Sequence, residues 1–195
     1  VDGFPYSLEY VNPIYSDDVL SDENENLLNQ LLMRNRQVYT DSLTKVFNRR
    51  YCEDRLRRLS GEYALAMIDI DNLKQINDRF GHPAGDTAIY HTAQAIRAIL
   101  RSQDELVRYG GDEFLLLFHS LPQNILRRKL EDICRAVRAL RVADLPELRI
   151  TVSIGGVYAA GQISELVEKA DLALYRAKAQ KDSAVLYEED FHDSE

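Results

Sequence analysis

Along the chain, the run YALAMIDI at residues 63–70 is almost continuously apolar and ends in acid. Such a run without alternation predicts a central strand, with Asp69 and Asp71 at its C-terminal edge. The period then changes. A short helix from Asn72 to Arg79 precedes the turn FGHPAGD, and Asp86 stands where it would cap a longer helix with Ile89, Ala93, Ile96 and Leu100 on one face. Residues 104–109 and 113–119 read as two strands, joined across Gly110-Gly111 in a two-residue hairpin whose positive φ angles suit glycine. Leu126, Leu130, Ile133, Val137 and Leu140 make the apolar stripe of a helix over 123–141. A strand follows at 148–159, then a helix capped by Ser164 and running to Gln180, then a short strand at 184–187. The order β-α-β-β-α-β predicts an α+β fold: a ferredoxin-like core with an antiparallel central sheet, helices packed on one face, and an extra C-terminal helix and strand.

Ahead of this core, residues 1–20 carry Pro5 and Pro13 without a sustained period and read as a loop or the tail of a preceding module. From Asp22, with Glu25 as its capping partner, a helical extension places Leu28, Leu31, Asn35 and Val38 at a/d spacing. Two readings stand: a signalling helix that pairs with a partner through a register set by Asn35, or a helix packed on its own domain. DSLTKVFNRRYCEDRLRRL then gives a polar start and a basic amphipathic helix. The expected division is an N-terminal extension over 1–40, a main globular domain over 41–190 and a tail over 191–195.

Composition narrows the chemistry. At 195 residues and 45% hydrophobic content the chain supports one domain with a substantial core. Lys+Arg of 24 against Asp+Glu of 32 leaves a net charge of -8, which repels a polynucleotide, so no nucleic-acid polymer is expected as a partner. A small phosphate ligand neutralised by metal remains compatible. Cys52 and Cys134 fall in predicted helices without CxxC or Cys/His spacing, so buried free thiols are expected rather than structural zinc. No apolar run approaches the roughly 20 residues of a membrane span, and no signal peptide opens the chain. The start at Val1 suggests a cytoplasmic piece of a longer sensor protein, with any membrane anchor in a missing N-terminal region.

The stretch RYGGDEF at 108–114 sets the central question. A turn needs its glycines; it does not need both acids. If the first core strand lies antiparallel beside the hairpin, Asp69, Asp112 and Glu113 converge although distant in sequence. Three crowded carboxylates repel one another, and a hard divalent cation is the usual remedy. Magnesium held by few carboxylates, with phosphate filling its other positions, points to phosphoryl transfer. Glycines without side chains also let a flat ligand or a phosphate approach the turn.

RYGGDEF resembles the signature of the GGDEF-domain diguanylate cyclases, which condense two GTP into cyclic di-GMP and release two pyrophosphates. The resemblance runs from about Asp41 to Tyr187, through DSLTKVFNRR, DIDNLKQIND followed by FGHPAGD, VSIGG and ADLALYRAKAQ. It implies that Asp69 and Asp112 hold magnesium, two ions per GTP with Mn2+ as an alternative, assisted by the Ile70 carbonyl. Glu113 would lie at the ribose 3'-hydroxyl as a metal partner or proton acceptor, making Asp69, Asp112 and Glu113 the catalytic set. Asn72, Leu73 and Lys74 would meet the phosphates, as would Lys178, and Arg108, Gly110 and Gly111 also belong to the GTP site. Asn77 and Asp86 resemble the pair that reads guanine, where a carboxylate accepts from N1 and N2. Arg101 and Asp104 match the family's RxxD, an inhibitory site for the product. The resemblance further implies a homodimer, each subunit holding one GTP.

One departure bears on substrate affinity: where the family has Gly-Arg-Asn after the last helix, this chain has Lys181-Asp182-Ser183. Asp182 replaces a phosphate-binding arginine, which supports a rival reading as a domain that binds GTP or cyclic di-GMP without turnover. The intact acids oppose that rival. A polymerase palm shares the sheet and carboxylates, but it needs a basic template groove that the net charge disfavours.

Overall fold

The computed structural model describes residues 38–188. The helix expected from Asp22, with Leu28, Leu31 and Asn35, lies outside the described residues except for its end, where residues 38–39 are helical. The tail over 191–195 lies outside them too.

A short strand β1 (Phe47–Asn48) leads into α1 (Arg49–Asp54), a single turn of 3-10 helix (Leu56–Arg58) and the long strand β2 (Ser60–Ile70). Two consecutive helices follow, α2 (Leu73–Phe80) and α3 (His82–Ile99), then the strands β3 (Glu105–Arg108) and β4 (Glu113–Phe118). Helix α4 (Gln123–Arg138), strand β5 (Val152–Gln162), helix α5 (Ile163–Gln180) and strand β6 (Ala184–Leu186) complete the fold. The sheet order is β1-β3-β4-β2-β5-β6. Its four central strands are antiparallel, while β1 pairs parallel to β3 and β6 parallel to β5. The first strand of the βαββαβ core therefore lies between the third and the fourth, as the ferredoxin-like arrangement requires.

The helices cover both faces of the sheet, not one. Ala64, Ala66, Ile68 and Ile70 of β2 point into a cluster with Ile76, Ala88, Ala93, Ile96, Leu126, Leu130, Ile133 and Val137 from α2, α3 and α4. Leu65 and Met67 point the other way, onto Leu166, Ala170 and Leu174 of α5 and onto Tyr51 and Cys52 of α1. This is why β2 reads as a continuous apolar run: alternate side chains enter different cores, and neither face meets water. Both cysteines are buried and outside any disulfide, and burial pushes the Cys134 thiol up to about 12.

Several local expectations give way to other solutions. Helix α3 begins at His82, after Gly81 at φ 87° and with Pro83 in its first turn, so Asp86 lies one turn inside the helix and does not cap it. The cap of α5 is Gln162, which exchanges hydrogen bonds with Glu165 in a capping box, so Ser164 is not the cap. The basic helix after Asp41 shrinks to α1, and Leu140 lies beyond the end of α4. Strand β5 starts at Val152, and residues 148–151 approach it as non-strand chain, although Leu148 and Ile150 are buried and account for their apolar signal.

The paired glycines of VSIGG have a packing reason. A Cβ on Gly155 would collide with the backbone of α5 at Ala170 O and Leu174 N, and one on Gly156 would collide with Leu130 Cδ1 of α4. One glycine lets a helix onto each face of β5. We expect Gly155→Ala to lift α5 from the sheet and destabilise the fold by about 3 kcal/mol or more, at the upper end of overpacking costs. Urea unfolding of the purified variant measures it.

At the far end of β4, His119 Nε2 lies 3.4 Å from Glu105 Oε2, while Tyr51 Oη donates to Glu105 Oε1 at 2.6 Å. The Glu105 hydrogen bond holds the imidazole above its usual 6.5, against the opposing effect of burial. A raised folded-state pKa stabilises the protonated form, so this contribution is complete below pH 6.5 and is lost as the pH climbs through the raised value. Thermal melts of wild type and His119→Gln at a series of pH values should differ most on the acid side and converge at alkaline pH.

Candidate active site

The site forms where β2 ends. Asp69 pairs directly with Glu113 across the β2–β4 ladder, so both side chains project to one face of the sheet. Alternation puts that face on the α5 side, in line with Leu65 and Met67. Asp112 precedes Glu113, and its carbonyl accepts from Ile70 N at 3.2 Å, which ties the signature loop to the end of β2. The predicted convergence of Asp69, Asp112 and Glu113 is thus present in the structure.

From α5, Lys178 Nζ reaches Asp69 Oδ2 at 2.6 Å. Even so, the Asp69 carboxyl stands above the usual range: burial raises it, the lysine pulls it down, and the charges of Asp112 and Glu113 push it up again. Lys178 is lowered by its own burial, but Asp69, Glu113 and Asp112 outweigh this and raise it. Both partners of one ion pair shift upward, Asp69 chiefly through its burial and then through the neighbouring acids, Lys178 through the same acids. Asp171, seven residues earlier on α5, adds a fourth acid. Although the residue as a whole is exposed, burial of its carboxyl and the charge of Glu113 raise it, against the pull of Lys178. Asp171 lies within ADLALYRAKAQ, where its position in the sequence gives no sign of this role.

These oxygens suit a hard divalent cation: they are all-oxygen, crowded, and short of positive charge. Among the described residues, no group of three acidic or soft ligands is already gathered closely enough to hold a metal by itself.

The signature loop is longer than a two-residue hairpin. Arg108 pairs with Phe114, and Tyr109 N and Gly110 N both donate to Glu113 O, at 2.8 and 3.1 Å. Neither Gly110 nor Gly111 has a positive φ. Their surroundings differ: a Cβ on Gly110 would fall 2.5 Å from Glu113 Oε2, the end of a flexible side chain, and one on Gly111 would stand in open space. Arg108 fixes the loop by donating from Nη2 and Nε to Gly111 O, at 2.8 and 3.2 Å. Its Nη1 binds both oxygens of Asp41, at 3.2 and 3.3 Å. Asp41 also accepts from Thr44 N and Oγ1. These bonds and the Arg108 charge hold its carboxyl low against the effect of burial. The start of DSLTKVFNRR is therefore a brace for the signature loop, a duty that its spacing in the sequence does not reveal.

On the other side of β2, Asn72 adopts the left-handed conformation at φ 57° and begins α2, whose exposed first turn carries Lys74 beside the half-buried Leu73. Asn77 lies one turn further, with its amide so close to Gly85 that a Cβ there would collide with Asn77 Oδ1. That oxygen is buried and has no hydrogen-bond partner, and exposed Asp86 is the neighbour of Gly85. Asp71, the second acid of the β2 edge, is structural: Thr151 Oγ1, Ser153 Oγ and Asp182 N donate to it at 2.7, 2.6 and 2.9 Å. At the Lys181-Asp182 departure the two side chains point to different partners. Asp182 Oδ2 pairs with Arg138 Nε at 2.6 Å, whereas Lys181 Nζ sits 2.7 Å from Asn72 Oδ1, at the segment expected to meet phosphates.

Arg101 and Asp104 share the turn between α3 and β3. Asp104 accepts from the backbone N–H of Arg101 at 3.0 Å and of His119 at 3.4 Å. Among the described residues no ion pair joins Arg101 to Asp104.

A six-stranded α+β sheet with a carboxylate cluster at the end of its first core strand is the frame of a palm-like nucleotide cyclase. The family described as "Diguanylate cyclase, GGDEF domain" matches residues 38–184, and the chain belongs to it. Probable diguanylate cyclase DgcC of Escherichia coli is 34% identical over 148 residues, covering 71% of this chain and 40% of the relative. Diguanylate cyclase TpbB of Pseudomonas aeruginosa is 36% identical over 173 residues, covering 83% of this chain and 38% of the relative. The chain thus spans about two fifths of the length of these curated relatives. A crystal structure of the coiled coil and GGDEF domain of DgcB from Caulobacter crescentus, in complex with c-di-GMP, superposes with a TM-score of 0.76 at 30% identity, covering 84% of this chain and 93% of that one. Among the described residues no helix is long and apolar enough to cross a membrane.

Proposed function

We propose that the chain is an active diguanylate cyclase domain that joins two GTP into cyclic di-GMP with loss of two pyrophosphates. The observation that carries this reading is the cross-strand pair Asp69–Glu113, with Asp112 near enough for its charge to act on Asp69 and Lys178 bound to Asp69. When bound, magnesium would neutralise the phosphates and acidify the attacking hydroxyl. Asp69 and Asp112, with the Ile70 carbonyl, would hold it. Glu113 would receive the 3'-hydroxyl proton, directly or through water. Lys74, Lys178 and Lys181 would carry the triphosphate. Asn77 Oδ1 and Asp86 would accept from guanine N1 and N2, donors that adenine lacks at that edge.

One such site holds one nucleotide, so the 3'-hydroxyl of one GTP meets the α-phosphorus of the other only when two copies face each other. The ion pair of Asp182 Oδ2 with Arg138 would lessen its repulsion of the triphosphate. Incubation with GTP and magnesium, followed by chromatography for cyclic di-GMP and pyrophosphate, tests the reading. Absence of product at any enzyme concentration would leave a binding module.

Asp112→Asn should keep the fold, because its backbone carbonyl still receives Ile70 N, yet lose about a hundredfold or more in turnover. An unchanged melting curve with unchanged cyclisation would remove Asp112 from the metal site. For product control, the exposed guanidinium of Arg101 makes no bond among the described residues and is available to a guanine edge or phosphate, with Asp104 beside it. Binding there would hold two domains out of the facing arrangement. Wild-type progress curves should slow well before GTP is consumed, whereas Arg101→Ala should start at the same velocity and continue. Equal slowing of both, or full relief by excess GTP, would reject the inhibitory site.

A further inference from the structure

The ion pair between Lys178 and Asp69 joins two groups with different expected duties. Asp69 belongs to the metal and Lys178 to the phosphates, yet in the ligand-free protein they bind each other at 2.6 Å. The lysine ammonium lies on Asp69 Oδ2, one of the two oxygens that Asp69 could offer a cation, and its charge also acts on Asp112 and Glu113. Lys178 is anchored by an α5 backbone docked on β5 at Gly155, while its side chain is 42% exposed to solvent.

We propose that Lys178 is a resident counter-ion of the metal site. It occupies the place of the cation until a nucleotide arrives, then moves onto the phosphates and gives Asp69 up to the metal. The proposal rests on the cyclase reading and adds to it a coupling between its two ligands. Metal alone must displace a bound ammonium and leave it beside a dication, so it binds weakly. Nucleotide alone meets uncompensated carboxylates. Together each removes the other's obstacle, since the phosphates accept the lysine and the metal neutralises the acids. By linkage the two affinities rise by the same factor. The arrangement keeps the acids paired between turnovers and excludes free divalent cations from an idle site.

The test is metal binding without turnover, on the full chain, with Mn2+ as a paramagnetic probe. Wild type should bind Mn2+ weakly alone and much more tightly once a GTP analogue with a methylene bridge between its α- and β-phosphorus is added. Lys178→Met should bind Mn2+ alone about tenfold more tightly, a charge removed from contact with the site, and should gain less from the analogue. Lys178→Arg should restore the wild-type pattern. Adding Asp69→Asn to Lys178→Met should abolish the tighter binding, which locates it. If Lys178→Met, folded by circular dichroism, binds Mn2+ alone no more tightly than wild type, the counter-ion role is overturned while the cyclase reading stands. It is overturned equally if the added Asp69→Asn leaves the tighter binding intact. If the analogue raises Mn2+ affinity in neither protein, the nucleotide-site reading fails, and the inference with it.

Discussion

The register between β2 and β4 is the constraint on which the site depends. Asp69 opposes Glu113, and the same ladder runs back through Ile68–Phe114 and Met67–Leu115 to Ala64–Phe118. A slip of one residue would send Asp69 to one face and Glu113 to the other, and would at the same time expel Leu65 and Met67 from one core and Ala66 and Ile68 from the other. The apolar contacts that fix the sheet therefore also fix the distance between two acids that repel each other. Lys178 offsets part of that repulsion from the helix above.

A second set of contacts works on the signature loop. Asp41, held by the Thr44 amide and hydroxyl, grips Arg108, and Arg108 grips the Gly111 carbonyl. The loop has no regular ladder of its own and has glycines where side chains would add stiffness, so this two-armed guanidinium replaces the rigidity that the sequence omits. Asp41 lies two residues past helical Tyr39, which itself packs edge-on to Tyr51. The loop is thus braced against the point where the N-terminal segment joins the domain.

Much of the fold was legible because long, well-patterned segments left few choices. The continuous run of β2, the stripes of α3 and α4, and the GGDE turn between two apolar strands each identified an element. What the pattern could not settle was local competition at the ends. Gly81 and Pro83 outcompete Asp86 in starting α3, and Gln162 with Glu165 outcompetes Ser164 at α5. One miss was avoidable: an unalternating β2 already implied cover on both faces, and therefore a place for α5 opposite α3 and α4. In the site, the carboxylates were legible from their spacing and from the family resemblance. The brace through Asp41, the structural duty of Asp71 and the turned carboxylate of Asp182 were not. Each depends on side-chain directions between segments far apart in sequence.

The two-sided sheet divides the site between two separate supports. Asp69, Glu113 and Lys178 stand over the cluster of Leu65, Met67, Leu166 and Leu174, whereas Asn77 and Asp86 ride on α2 and α3 above Ile76, Ala88 and Ile89. The half that would perform chemistry and the half that would recognise the base share the sheet between them, whose strands β2 to β5 send side chains into both cores. Helix-borne substitutions that leave the sheet in register can therefore change one half more than the other, so base choice and catalytic power would be able to drift apart in evolution while the sheet stays the same.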